Sequence, residues 1–272
     1  MQRIALALMR GIAERGARVG WAASPAGALR FAVRGVAGAQ PLVLLHGLGD
    51  SLAGWAQVAG PLSKKFELHL LDLPGHGLSP PARDWRLASL IAAVGHYVSP
   101  LREPVLVGHS LGGWVALRLA LSGTVSPAAI VLVNPGGAML SRELWAPFRQ
   151  LISARDRAGV ARYLERAFRR APLALRLFPQ EVIRAMSAPA CQGILDALAE
   201  ADFLREAELV AVRTPLRLIW GAHDRLLPDG TLEFFRRALP RAEVVVLEDA
   251  GHLPHIETPR ALARAVLAPF PS

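Results

Sequence analysis

The chain has 272 residues, of which 52% are hydrophobic and 19% charged, and carries a formal net charge of +9. That size and balance describe one large folded domain, or a domain with an insertion, and exclude a disordered chain. A single cysteine, Cys191, excludes an intramolecular disulfide.

Residues 1–40 hold six arginines against Glu14, so +5 of the charge sits there. The other arginines are dispersed among acids without an aromatic-basic module, and no nucleic-acid partner is expected. No run reaches the roughly 18 apolar residues of a membrane span. Ile4, Leu8 and Ile12 recur at helical spacing and predict an N-terminal helix over about residues 1–16, packed on the body. A weak peripheral contact between this helix and a membrane surface is the alternative. The apolar run before Arg10 is too short for a signal-peptide core. The expected location is cytoplasmic, membrane-peripheral if the helix engages lipid.

Short strands are predicted at Ala17–Ala22 and Leu29–Val33, separated by the turn-forming Ser24-Pro25-Ala26-Gly27. Pro41–Leu45 and Ala129–Val133 are apolar throughout, as strands buried on both faces are; further strands are predicted at Phe66–Leu71, at the run Val105–Val107 and at Leu216–Trp220. A last strand is expected at Val244–Leu247. Helices are expected at Leu52–Leu62, with Trp55 and Val58 on one side, at Leu87–Val98, at Asp229–Ala238, and from Pro259 to about Leu267 with Thr258 as its cap.

Between about Ala138 and Val212 the strand signals fade. Trp145, Phe148 and Ile152 share one helical face, and Val160, Leu164 and Phe168 another; Pro172, Pro179 and Pro189 divide the stretch into short helices. The expected organisation is a core over residues 1–137 and 213–272, interrupted by a helical cap over 138–212. Strands alternating with helices imply a mostly parallel sheet covered on both faces, with reactive groups gathered beyond the carboxyl ends of the strands.

One such end is Gly108-His109-Ser110-Leu111-Gly112-Gly113, a strand, a very tight turn and then a helix. A serine at that apex is lifted clear of the sheet beside the positive end of the helix, and glycines are required where a Cβ would collide. Ser110 is the candidate nucleophile. It needs a base, because a free hydroxyl is a poor nucleophile at neutral pH. His252 follows the last strand and is the candidate base; Asp224 follows the strand before it and would orient the imidazole. Protonation of His252 removes the base, so activity is expected to fall in acid. The backbone N–H groups of Leu48 and Leu111 are the candidate oxyanion donors. Glu248 and Asp249 lie nearer His252 in sequence but are poorly placed to orient a ring, and Asn134 cannot act as a carboxylate.

Four motifs occur together in this order: His46-Gly47-Leu48-Gly49, Asp72-Leu73-Pro74-Gly75-His76-Gly77, the Ser110 turn, and Gly251-His252-Leu253-Pro254-His255-Ile256-Glu257. From about residue 29 to the C-terminus the chain resembles the α/β-hydrolase superfamily, in particular small capped carboxylesterases and monoacylglycerol-lipase-like enzymes. The resemblance implies an α/β-hydrolase fold and cleavage of a small-molecule carboxylic ester with a short- to medium-chain acyl group. That chemistry proceeds through an acyl-enzyme and needs no cofactor and no metal. Carbon–carbon bond hydrolysis and acyl transfer use the same triad and remain open, as does a catalytically dead ligand receptor.

His46 and His109 are expected to shape the two loops beside the site, and Asp72 to pin its own turn. Cys191 is expected to be a buried apolar filler. Trp55 and Trp114 border the pocket or fill the core. The same choice is open for Trp145, Phe148 and Phe168.

Overall fold

The computed structural model describes residues 2–270, with side chains from residue 6 onward. Eight strands form one sheet: β1 (Arg18–Ala22), β2 (Leu29–Gly35), β3 (Pro41–Leu45), β4 (Glu67–Asp72), β5 (Val105–His109), β6 (Ala129–Val133), β7 (Leu216–Gly221) and β8 (Glu243–Leu247). Their order across the sheet is β1-β2-β4-β3-β5-β6-β7-β8. β1, β2 and β4 pair antiparallel; every other pairing is parallel. All residues of β5, β6 and β7 are buried, which is why these strands are apolar apart from His109 and Arg217. β8 lies at the edge, and its alternate residues are exposed.

The helices are α1 (Gln2–Ala13), α2 (Ala56–Leu62), α3 (Leu87–Val98), α4 (Leu111–Ser122), α5 (Arg142–Ile152), α6 (Arg157–Ala167), α7 (Leu173–Leu177), α8 (Pro179–Met186), α9 (Pro189–Ala197), α10 (Glu206–Leu209), α11 (Thr231–Ala238), α12 (Pro254–Glu257) and α13 (Pro259–Leu267). One core cluster joins a sheet face to α3, α4 and α11. A second joins the opposite face to α2, α13 and the inner side of α1. A third cluster lies among α5, α6, α8 and α9, the helices between β6 and β7.

Three local expectations are corrected. The helix expected at Leu52–Leu62 begins as a 3-10 turn over Leu52–Trp55, capped by the Ser51 side chain, and only then becomes α2. The helix expected from Asp229 starts at Thr231, after Gly230 in a left-handed conformation at φ 85°. Thr258 does not cap α13 with its side chain; its hydroxyl turns back to the Pro254 carbonyl at 3.5 Å, closing α12 instead.

α1 ends at Ala13, short of residue 16, and is packed on the body through Met9, Ile12 and Ala13. Leu6 and Leu8 remain 56% and 62% exposed, and the side chain of Ile4 lies outside the described residues. Among the described residues no helix is long and apolar enough to cross a membrane. The attachment of α1 is also ionic. Arg10 donates from Nη1 to Asp72 at 2.9 Å, and Glu14, just past the end of the helix, pairs with Arg30 of β2. Asp72 is fully buried and also accepts the N–H groups of Leu52 and Leu78 at 2.8 and 2.9 Å, so it pins its turn as expected.

Removing one partner of a buried charge pair leaves the other uncompensated. Arg10→Ala is therefore expected to lower stability by about 2–3 kcal/mol, less than the full penalty of about 3–5 kcal/mol because Arg10 is not entirely buried. Urea unfolding of Arg10→Ala, Asp72→Asn and the double variant measures it, and additive losses would exclude the coupling.

Candidate active site

Ser110 stands between β5 and α4 with φ 51° and ψ −114°, a conformation non-glycine residues rarely adopt. A Cβ on Gly108 would run into the backbone of Gly112 and Gly113, and one on Gly112 into the Leu45 carbonyl of β3. The turn is fixed from β6 as well: Ser110 N–H donates to Val133 O at 3.0 Å, and Gly136 N–H donates to Ser110 O at 3.1 Å.

Asp224 and His252 come together behind this turn. His252 Nδ1 lies 2.7 Å from Asp224 Oδ2, and both side chains are buried. Oδ2 also accepts the Asn134 side-chain amide at 2.6 Å, while Oδ1 accepts the N–H groups of Leu226 and Leu227 at 2.9 and 3.2 Å. Burial pushes the Asp224 carboxyl up, but the His252 partner and these donors outweigh it and hold the carboxyl below its ordinary range. Asp224 therefore stays ionised and fixes the Nδ1–H tautomer of His252, which leaves Nε2 as the unprotonated ring nitrogen.

Asn134 is the residue that sequence reasoning passed over. It takes φ 43°, which asparagine tolerates better than most residues, and its Oδ1 accepts Gly221 N–H at 3.2 Å. The signal was its place at the end of β6, beside the strand that delivers Asp224. Asn134→Asp keeps the backbone preference and places a second carboxylate against Asp224. Like charges at that distance cannot both ionise easily, so turnover at neutral pH is expected to drop at least tenfold and the acid limb of the pH–rate profile to move up; an unchanged profile would refute the contact's role.

The loop histidines do what the sequence suggested. His46 donates from Nδ1 to Gly47 O at 2.7 Å, and its Nε2 accepts Leu73 N–H at 3.0 Å, joining the Leu48 loop to the loop after β4. His109 Nε2 donates to the His252 carbonyl at 2.8 Å. Burial, then the neighbouring His255 and His252, hold His109 well below its ordinary value, so its ring is neutral. His76 donates from Nδ1 to Pro74 O at 3.1 Å and is lowered to about 4, mainly by burial and then by His46. His255 is buried against Trp55 and His109, with Nε2 3.3 Å from Asp50.

Leu48, Ser110 and Leu111 line one cavity of about 50 Å³. Neither Leu48 N–H nor Leu111 N–H is taken by another group among the described residues. Trp114, Trp145 and Phe148 form part of its apolar wall. Trp55 instead fills the core on the other sheet face, and Phe168 fills the third cluster. Cys191 is buried as expected; its thiol donates to Ala185 O at 3.1 Å and is pushed up to about 12 by burial. Trp145, Arg149, Leu198 and Phe203 separate the cavity from a surface groove of about 800 Å³ that they also line.

Residues 42–265 match the model of the alpha/beta hydrolase family. The chain belongs to that family. It is 32% identical over 248 residues to pimeloyl-[acyl-carrier protein] methyl ester esterase of Aeromonas hydrophila, covering 80% of this chain and 91% of that protein. It is 29% identical over 240 residues to the dihydrolipoyllysine-residue acetyltransferase component of the acetoin cleaving system of Cupriavidus necator, covering 84% of this chain but only 63% of the relative's length. Among solved structures it superimposes on a membrane phospholipase A, described as a bacterial virulence factor, with a TM-score of 0.83, 25% identity and coverage of 97% and 89% of the two chains. The mostly parallel sheet, the helices on both faces and this match establish the α/β-hydrolase fold.

The lowered histidines set the acid stability. His76 has a folded value of about 4 against an ordinary 6.5. The unfolded chain therefore binds the proton more tightly between those values, and stability is full above 6.5 and declines as pH falls towards 4. Its share at pH 5 is a loss of about 2 kcal/mol; His69 and His109 are lowered as well and act in the same direction. Urea midpoints are expected to fall between pH 7.5 and pH 5, and less steeply in His76→Leu than in the wild type.

Proposed function

We propose that this protein is a serine hydrolase that cleaves carboxylic esters of short to medium acyl chain through an acyl-enzyme. The observation that carries the reading is an apolar cavity lined by Ser110, Leu48 and Leu111, the N–H groups of the two leucines being untaken among the described residues. The buried pair of His252 and Asp224 and the esterase among the relatives support it.

In this reading Ser110 Oγ attacks the ester carbonyl carbon while His252 Nε2 takes its proton. The Leu48 and Leu111 N–H groups receive the oxyanion. Collapse of the tetrahedral species breaks the carbon–oxygen bond, and the departing alkoxide takes the proton from His252. A water deprotonated by His252 then attacks the acyl-enzyme, and collapse returns the proton to Ser110 as the acid leaves. Asp224 holds the imidazole and stabilises its charged form; Asn134 and the N–H groups of Leu226 and Leu227 hold Asp224. Residues 138–212 act as a cap over the cavity. A space of about 50 Å³ accommodates only a few water-sized groups, which favours short acyl chains; longer ones require the wall around Trp145 to yield.

Acyl transfer on the same triad is the second reading, favoured by the acetyltransferase name of one relative. Product analysis with and without an added alcohol or amine separates the two.

Hydrolysis of p-nitrophenyl esters from acetate to palmitate tests the proposal. Ser110→Ala is expected to lower turnover by about 10⁴-fold or more. Trp145→Ala is expected to merge the cavity with the outer groove and move the optimum at least two carbons longer. Equal turnover by Ser110→Ala would overturn the mechanism, and an unmoved optimum would overturn the assignment of the wall.

A further inference from the structure

A second cavity, of about 510 Å³, lies among α6, α7, the start of α8 and Arg225, and shares no lining residue with the cavity at Ser110. Its floor is apolar: Val160, Leu164, Phe168 and Pro179 are buried there. Its rim carries four guanidinium groups, from Arg157, Arg169, Arg176 and Arg225. The whole segment is basic, with arginines outnumbering acids eight to three between residues 155 and 184.

Two of the four rim groups are already engaged. Arg169 pairs with Asp249, and Arg225 Nη2 donates to the Glu165 carbonyl at 2.6 Å. Arg157 and Arg176 have no carboxylate partner among the described residues. Glu165 is the cavity's only acidic lining residue, and the Asp156 carboxylate accepts Gly159 N–H at 2.6 Å as the cap of α6. Two unpaired planar forks over an apolar floor match a dianion joined to an apolar body. A phosphate monoester offers three oxygens and close to two charges at neutral pH, so it can engage both forks, whereas a carboxylate satisfies one. The volume lies in the ordinary range for small-ligand pockets, about 300–1,000 Å³.

We propose that this cleft is a binding site for a phosphate monoester, with the phosphoryl group between Arg157 and Arg176 and the apolar part on Leu164 and Phe168. The phosphoryl group belongs to a soluble organic phosphate or to the headgroup of an anionic lipid.

The test uses Ser110→Ala protein, so that its result does not depend on the ester-hydrolase reading. Phenyl phosphate is titrated calorimetrically at low salt, with inorganic phosphate as the comparison that lacks an apolar body. Phenyl phosphate is expected to bind, inorganic phosphate to bind more weakly, and Arg157→Ala/Arg176→Ala to weaken phenyl phosphate at least tenfold. The single Arg176→Glu variant is expected to lose it as well. The same arginine substitutions made without Ser110→Ala are expected to keep wild-type melting temperature and ester turnover, showing an intact fold. Sedimentation with phosphatidylcholine vesicles containing phosphatidic acid, reversed by the same variants, would assign the source to a lipid headgroup. Phenyl phosphate binding without vesicle binding would assign it to a soluble phosphate. Binding of neither probe, or binding unchanged in the arginine variants, would overturn the site.

Discussion

The structure turns on one backbone constraint, the left-handed conformation at residue 110. A non-glycine residue held there costs about 1–3 kcal/mol and persists only where its surroundings over-determine it. Here the surroundings are three strands. β3 meets Gly112 at the Leu45 carbonyl, β5 supplies Gly108, and β6 and the loop after it hold Ser110 through Val133 O and Gly136 N–H. Any side chain at either glycine would separate α4 from the sheet. The same turn starts α4 at Leu111, and this leaves the Leu111 N–H without a partner inside the helix. The strain, the free donor and the placement of the Ser110 hydroxyl are therefore one feature of the backbone.

Around this turn the protein holds its loops with neutral imidazoles. His46, His76 and His109 each donate one ring N–H to a backbone carbonyl. A neutral donor of that kind is cheaper to bury than a charged one, and it places no charge beside the His252–Asp224 pair. His109 matters most, because the carbonyl it holds is that of His252 itself. The one carboxylate kept charged at the centre, Asp224, is surrounded by four donors, which is what a buried anion requires.

Much of this was legible in the chain. β3, β5 and β6 are short, largely apolar runs because both their faces are covered, and the chemistry follows them because a parallel sheet presents its loops at one edge. What the sequence did not disclose depended on packing between distant segments. Asn134 was read only as a position unable to act as an acid, because nothing local shows that its amide reaches Asp224. Trp145 and Phe168 both sit on apolar helical faces, yet one lines the cavity and the other fills a core; periodicity reports that a face is buried and not against what. Arg217 is fully buried in the middle of β7, where its guanidinium reaches Glu243 and the carbonyls of Ala265, Ala268 and Pro269. A polar residue inside an apolar run gave no hint of the chain end it fastens.

The helices between β6 and β7 are fastened differently at their two sides. At the rear, Leu204 N–H donates to Gly137 O and Met139 N–H to Leu204 O, and Arg118 of α4 clasps the carbonyls of Asp202 and Phe203. These bonds involve the sheet and α4, which the elbow already makes rigid. At the other side, links from the end of α6 run to the backbone around His252 and Asp224. Ala167 O accepts His252 N–H at 2.7 Å, Arg166 O accepts Arg225 N–H at 3.1 Å, and Arg170 N–H donates to Glu257 at 2.9 Å. Arg225 adjoins Asp224 in sequence, and Glu257 also accepts Gly251 N–H at 2.6 Å, one residue before His252. These bonds tie the end of α6 to the backbone on both sides of the His252–Asp224 hydrogen bond. The geometry of the imidazole is thus a property of the helical segment as well as of the sheet.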